Sequence, residues 1–346
     1  MVKKLISITL LLGIVTFLAL VNLAQQQLQQ PLALNADSST YKVQSGASLQ
    51  RVLADFTAKG WIGYPRVHEL WFRYNKLTTI QRGEYAIEQG QTSSEVIAMM
   101  ISGKKILHSV QFIEGKTFAD FLGVLAASPY LEQSLTGLTQ GEVMHRVAAE
   151  QDFYEGWFFP DTYLFESGTS DLEILKLAHK RMVTILEREW AEKSPTSVVQ
   201  SSYEALILAS IIEKETGAAF ERPIIAGVFS RRLSIGMRLQ TDPTVIYGAG
   251  ESYAGNLTRR HLRTDTPYNT YTRTGLPPTP IANPGREAIF AALNPAPGES
   301  LFFVAKGDGS HQFSITLEQH NTAVRRYQRS SRRQDYQSAP TSDVKP

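Results

Sequence analysis

The chain has 346 residues, 35 basic against 33 acidic side chains and a net charge of +2. That balance, with no long basic run in the body, argues against nucleic acid as a partner. There is no cysteine, so no disulfide framework can stabilise the chain and the fold has to rest on a hydrophobic core.

Residues 5–24 are almost wholly apolar and carry no charge; Ser7, Thr9, Gly13, Thr16 and Asn22 are the only breaks. A helix from Leu5 to Leu23 rises about 28 Å, close to the ~30 Å of bilayer hydrocarbon. Lys3 and Lys4 precede it and uncharged glutamines follow, which predicts a cytoplasmic tip at residues 1–4 and everything after residue 24 outside. A cleaved signal peptide competes with this reading. Cutting after Ala24 would put Asn22 at the −3 position, a poor match to a small-x-small site, so a retained single-pass anchor is favoured. Polar residues 25–39, with Pro31, read as a tether.

Residues 40–105 read as a small α+β subdomain. The pattern predicts a strand over 41–43, helices over 49–59 and 64–76, a strand over 83–87 and a helix over 93–102. Thr92 or Ser93 caps that last helix and Gly103 ends it. The opening Tyr41-Lys-Val-Gln-Ser-Gly46 resembles the first strand and glycine turn of a LysM-type glycan-binding domain. A generic βα start without ligand affinity accounts for the same residues.

Residues 106–330 read as a larger mixed α+β domain, and residues 331–346 as a disordered polar tail. Strand 107–112, helix 117–127 and the aromatic turn 156–163 come first. Helices over 171–193, 203–216 and 222–233 follow, the first two separated by the linker 194–197. From Gly236 the texture becomes proline-rich and polar, which suits stiff loops forming a binding wall. A short helix over 289–293, a hairpin of 301–305 with 311–315, and a helix over 317–327 close the domain.

The helix over 203–216 carries an ionisable group where an apolar one belongs. At about 100° per residue, Leu208, Ile211 and Ile212 share a stripe with Glu215, whereas Glu213 points roughly 200° away. A carboxyl among aliphatic groups is costly to ionise, so its pKa rises toward the range of a proton donor. A solvated helix end before Gly217 is the competing reading.

Nucleophile elbows, phosphate loops, dinucleotide fingerprints and zinc helices are all missing. His311 and His320 have no acidic partner at metal-like spacing and read as structural, so neither a metal nor a cofactor is expected.

Several ordered motifs together resemble one family, the endolytic murein transglycosylases, also called YceG-like proteins. They are Glu155-Gly-Trp-Phe-Phe-Pro-Asp-Thr-Tyr163, Ala209-Ser-Ile-Ile-Glu-Lys-Glu-Thr216 and Arg238-Leu-Gln-Thr-Asp-Pro-Thr-Val-Ile-Tyr-Gly248. Tyr268-Asn-Thr-Tyr271, Gly275-Leu-Pro-Pro278 and Ile281-Ala-Asn-Pro-Gly285 extend the match, which runs from the anchor to about residue 328. The resemblance implies a bacterial inner-membrane anchor, a LysM-like subdomain and a periplasmic catalytic domain. That domain is expected to cut nascent peptidoglycan strands between MurNAc and GlcNAc without water, leaving 1,6-anhydro ends. It implies Glu215 as acid/base, beside a cell-wall synthase (a penicillin-binding protein) that no motif identifies. Gln240, Thr241, Asp242, Tyr247, Tyr268, Asn269 and Tyr271 are the candidate substrate-binding residues. Asp242, Glu221 and Asp265 are the acids that could form a second carboxylate. A hydrolytic muramidase and a non-catalytic, membrane-tethered peptidoglycan-binding scaffold are the alternatives.

Overall fold

The computed structural model describes residues 2–148 and 153–330; the tail at 331–346 lies outside the described residues. The chain divides into two compact units, Met1–His108 with Leu164–Gly168, and Ser109–Tyr163 with Thr169–Pro346.

The first unit begins with α1 (Val2–Gln29), whose stretch Leu10–Gln29 is long and apolar enough to cross a membrane. Exposed leucines and Phe17 cover it as far as Leu23. β1 (Ser38–Val43), α2 (Leu49–Ala58), α3 (Pro65–Tyr74), β2 (Gly83–Glu88) and α4 (Ser93–Ser102) follow. β1 and β2 pair antiparallel, Tyr41 opposite Tyr85, so alternate residues face one core. Val52, Leu53 and Phe56 of α2 and Val96, Ile97 and Met100 of α4 fill it. A reciprocal capping box between Thr92 and Glu95 starts α4, and left-handed Gly103 stops it. The polar stretch expected to be a tether is partly built into this unit. α1 runs on to Gln29, Leu28 and Leu32 join the core, and the Leu32 N–H donates to Gln91 O at 2.8 Å.

Further along, β3 (His108–Gln111) pairs with β4 (Thr162–Phe165). The second unit holds α5 (Phe118–Ala126), α6 (Gln140–Val147), α7 (Asp171–Ala191), α8 (Ser202–Glu215) and α9 (Arg222–Ser234). α10 (Asp242–Ala249), α11 (Arg259–Arg263) and α12 (Arg286–Leu293) follow, then the hairpin β5 (Phe302–Ala305) and β6 (His311–Ser314), and α13 (Leu317–Val324). α8 is the central helix, buried on every residue from Ala205 to Ile212 and packed against α7, α9, α10 and α12. A helix apolar all round is a core helix, so its apolar stripe alone cannot select one glutamate.

Three helices differ from expectation. α6 carries a Thr139–Glu142 capping box, a start signal present in the sequence. α10 and α11 occupy the stretch read as stiff loops. Pro243 lies in the first turn of α10, where its missing N–H costs no hydrogen bond, so proline there opens a helix rather than forbidding one.

Candidate active site

α8 leaves the core at its C-terminal end, and two glutamates emerge there into different surroundings. Glu213 is committed to structure. The Arg222 guanidinium donates to it at 3.0 Å and the Gly285 N–H at 2.9 Å, and its side chain is only 6% exposed. It is not a solvated helix end. Glu215, the last residue of α8, keeps a partly open face toward a groove of about 520 Å³. Arg232, Leu239, Gln240, Asp242, Tyr271, Phe303 and His311 line the same groove.

The Glu215 carboxyl accepts a hydrogen bond from the Thr241 hydroxyl. Protein atoms crowd it, and this desolvation raises its pKa above the ordinary carboxyl value, helped by the nearby Asp242 charge. The Thr241 hydrogen bond, His311 and Arg232 pull the other way. Glu215 therefore does not sit in the purely aliphatic pocket that the helical wheel implies. It lies at the polar mouth of an aliphatic core, and burial dominates.

Thr241 stands at the N-cap position of α10, where its hydroxyl would ordinarily take a backbone N–H of the first turn. No such cap bond is made; the hydroxyl points to Glu215 instead. Gln240 before it adopts a left-handed backbone, φ 51°, and its N–H donates to Thr270 O at 3.1 Å. Non-glycine residues held in that region are strained, and such strain gathers where geometry is functional. Across the groove the Tyr271 hydroxyl donates to Asp242 at 2.6 Å. Burial, and then Asp242, hold the Tyr271 pKa far above its ordinary value.

Four expected sugar-contact residues do not line this groove: Thr241, which is buried behind it and reaches Glu215, and Asn269, Tyr247 and Tyr268. Asn269 is 1% exposed, and its amide nitrogen donates to the carbonyls of His261, Leu262 and Thr264. Its oxygen accepts the Tyr271 N–H at 2.9 Å, so Asn269 shapes the loop that carries Tyr271. The Tyr247 hydroxyl donates to Glu155 at 3.2 Å, and the Tyr268 hydroxyl pairs with Thr279 at 2.8 Å. Their rings meet edge-on at 4.9 Å. Asp265 is exposed and bound to Arg273 at 2.8 Å, which lowers its pKa to about 2. Glu221 also leaves the list of candidate acids, because both its oxygens face His311.

Arg232 lines the groove without having been singled out by the sequence, and His311, read from the sequence as structural, lines it too. His311 does have an acidic partner, Glu221, but ninety positions away in sequence, where spacing cannot reveal it. Glu155, opening the aromatic motif, is buried and accepts from the Phe118 N–H, Asn283 and Tyr247. Burial lifts its pKa to about 7.

The model of the YceG-like family matches residues 41–326. The chain belongs to the YceG-like family. A Bacillus subtilis protein named endolytic murein transglycosylase is 30% identical over 303 residues, covering 82% of this chain and 83% of the relative. Pneumococcal proteins of the same name are 24% identical over 337 residues, and the YceG-like chain spans 61% of their length. A crystal structure of a YceG-like protein from Listeria monocytogenes, 29% identical, superposes with a TM-score of 0.54 over 83% of this chain and 98% of that one.

Proposed function

We propose that this chain is a membrane-anchored endolytic lytic transglycosylase of peptidoglycan, with Glu215 as its proton donor. The observation that carries the reading is the placement of Glu215. It is a carboxyl at the mouth of a groove, with a pKa raised by burial, while Glu213 is tied to Arg222 and Gly285. Family membership and the names of the relatives supply the substrate.

In the proposed chemistry, protonated Glu215 donates to the glycosidic oxygen between MurNAc and GlcNAc as the C1–O bond breaks. The muramyl 6-hydroxyl then closes onto C1 as a 1,6-anhydro ring, losing its proton to the carboxylate that Glu215 has become. Water activation is not needed, so one carboxyl can suffice where glycosidases use two. Gln240 and Tyr271 on the groove wall offer an amide and an aromatic face to a sugar. The substrate N-acetyl group can stabilise charge at C1. α1 is read as a single-pass inner-membrane anchor with residues 1–4 cytoplasmic and the rest periplasmic. The unit containing β1 and β2 is read as a LysM-like module at residues 40–105, ahead of a catalytic domain at 106–330. Nascent glycan strands are the substrate, and a cell-wall synthase is the proposed neighbour.

One observation favours a second reading, a hydrolytic muramidase: Asp242 lines the same groove as Glu215. Product mass separates the two. Digestion of purified sacculi should release fragments one water lighter than reducing-end products. Release of reducing ends alone would establish hydrolysis and overturn the transglycosylase reading.

A further inference from the structure

The groove holds a second group equipped to handle a proton. His311 opens β6 and stands in the groove wall with Glu215. Glu221, at the end of the turn that leads from α8 into α9, grips it twice: the His311 N–H donates at 2.8 Å and ring Nδ1 lies at 2.7 Å. The side chains of Glu221 and His311 are only 3% and 11% exposed, so this is a built contact rather than a surface pairing. With its proton on Nδ1 facing the Glu221 carboxylate, a neutral imidazole presents Nε2 as a hydrogen-bond acceptor. The clamp also reaches Glu215 through the chain: the hydroxyl of Thr216, the next residue, donates to Glu221 at 3.4 Å.

The other polar groups of the groove are less suited to accept a proton. Arg232 is a cation whose guanidinium donates to the carbonyls of Leu301 at 2.6 Å and Leu239 at 2.5 Å. Asp242 already accepts the Tyr271 hydroxyl, and Tyr271 itself is held protonated. Burial and Arg232 lower the pKa of His320, which makes it a weaker base.

We propose that His311, oriented by Glu221, accepts the proton of the attacking hydroxyl in the ring-closing half of the reaction. This rests on the transglycosylase reading above and divides the work that it assigns to Glu215 alone. Glu215 gives its proton to the departing GlcNAc O4 as C1–O4 breaks. The muramyl O6 forms the bond to C1, and its proton passes to His311 Nε2. Transfer of that proton through solvent to the Glu215 carboxylate restores both groups, and no water is consumed. Glu221 is the positioning residue.

The test compares His311→Ala, Glu221→Gln and wild type in the full chain, acting on soluble glycan strands with and without added imidazole. His311→Ala should lose about 100-fold or more in kcat. Its KM should stay within about threefold, its products should remain anhydro, and imidazole should restore about tenfold. Glu221→Gln keeps the histidine but provides one acceptor oxygen for the two His311 donors, and should lose about tenfold in kcat at an unchanged melting temperature. A kcat within about threefold of wild type for either variant, or a loss in His311→Ala that imidazole does not relieve, overturns the proposal. Reducing-end products from the wild type would instead overturn the parent reading.

Discussion

Glu213 and Glu215 stand two residues apart on α8, one gripped by Arg222 and Gly285, the other facing a groove. The helical wheel separates them correctly in direction. It misses why they differ, because both reasons are long-range: Arg222 and Gly285 for one, Thr241 for the other. Glu155 poses a related problem in stability. Its folded pKa is about 7 against an ordinary 4.5, so between those values the folded state holds a proton that the unfolded state has lost. Stability contributed by this group is full below 4.5 and declines as pH rises to about 7, by about 3 kcal/mol in total. Replacing the group with an amide removes that titration. The melting temperature of Glu155→Gln should therefore improve relative to wild type as pH rises from 5 to 8. Parallel melting curves for the two proteins across that range would show that the Glu155 proton is not retained.

At the scale of elements, periodicity and caps disclose most helices, and proline misleads at one of them. α10 begins at Asp242-Pro243, and the same proline that signals a loop in sequence sets its first turn. Its N-cap threonine forgoes capping to reach Glu215, so the residue with the clearest local role performs a distant one. α9 offers a second case of context against propensity. A Cβ on Gly227 would lie 2.4 Å from the Ala296 carbonyl oxygen, part of the backbone that passes over the helix. Alanine in a helix interior ordinarily gains about 1 kcal/mol over glycine. Here overpacking should outweigh that gain, and Gly227→Ala should lose about 1–2 kcal/mol in denaturant unfolding. A more stable variant would mean that the backbone yields freely at this crossing.

For the whole molecule, the mixed α+β architecture and the apolar N-terminal helix were legible from composition and pattern. The incorporation of residues 28–32 into the first unit was not, since a polar stretch hides two buried leucines. A chain beginning at residue 26 should retain that unit's stability. One beginning at residue 38 should lose about 3–6 kcal/mol, the burial of Leu28 and Leu32 together. Equal urea midpoints for the two chains would show that these leucines add nothing. The groove was half legible: Glu215, Gln240, Asp242 and Tyr271 fall in sequence motifs, as does Thr241, which holds Glu215 from behind, whereas the Glu221–His311 pair exists only once β6 folds onto α9's entry. The most direct test of the account is to incubate Glu215→Gln and Glu213→Gln proteins with purified sacculi and weigh the released muropeptides. Anhydro products should vanish with Glu215→Gln, which still binds sacculi, and persist at a substantial level with Glu213→Gln. Wild-type levels of anhydro product from Glu215→Gln would contradict the assignment of the acid.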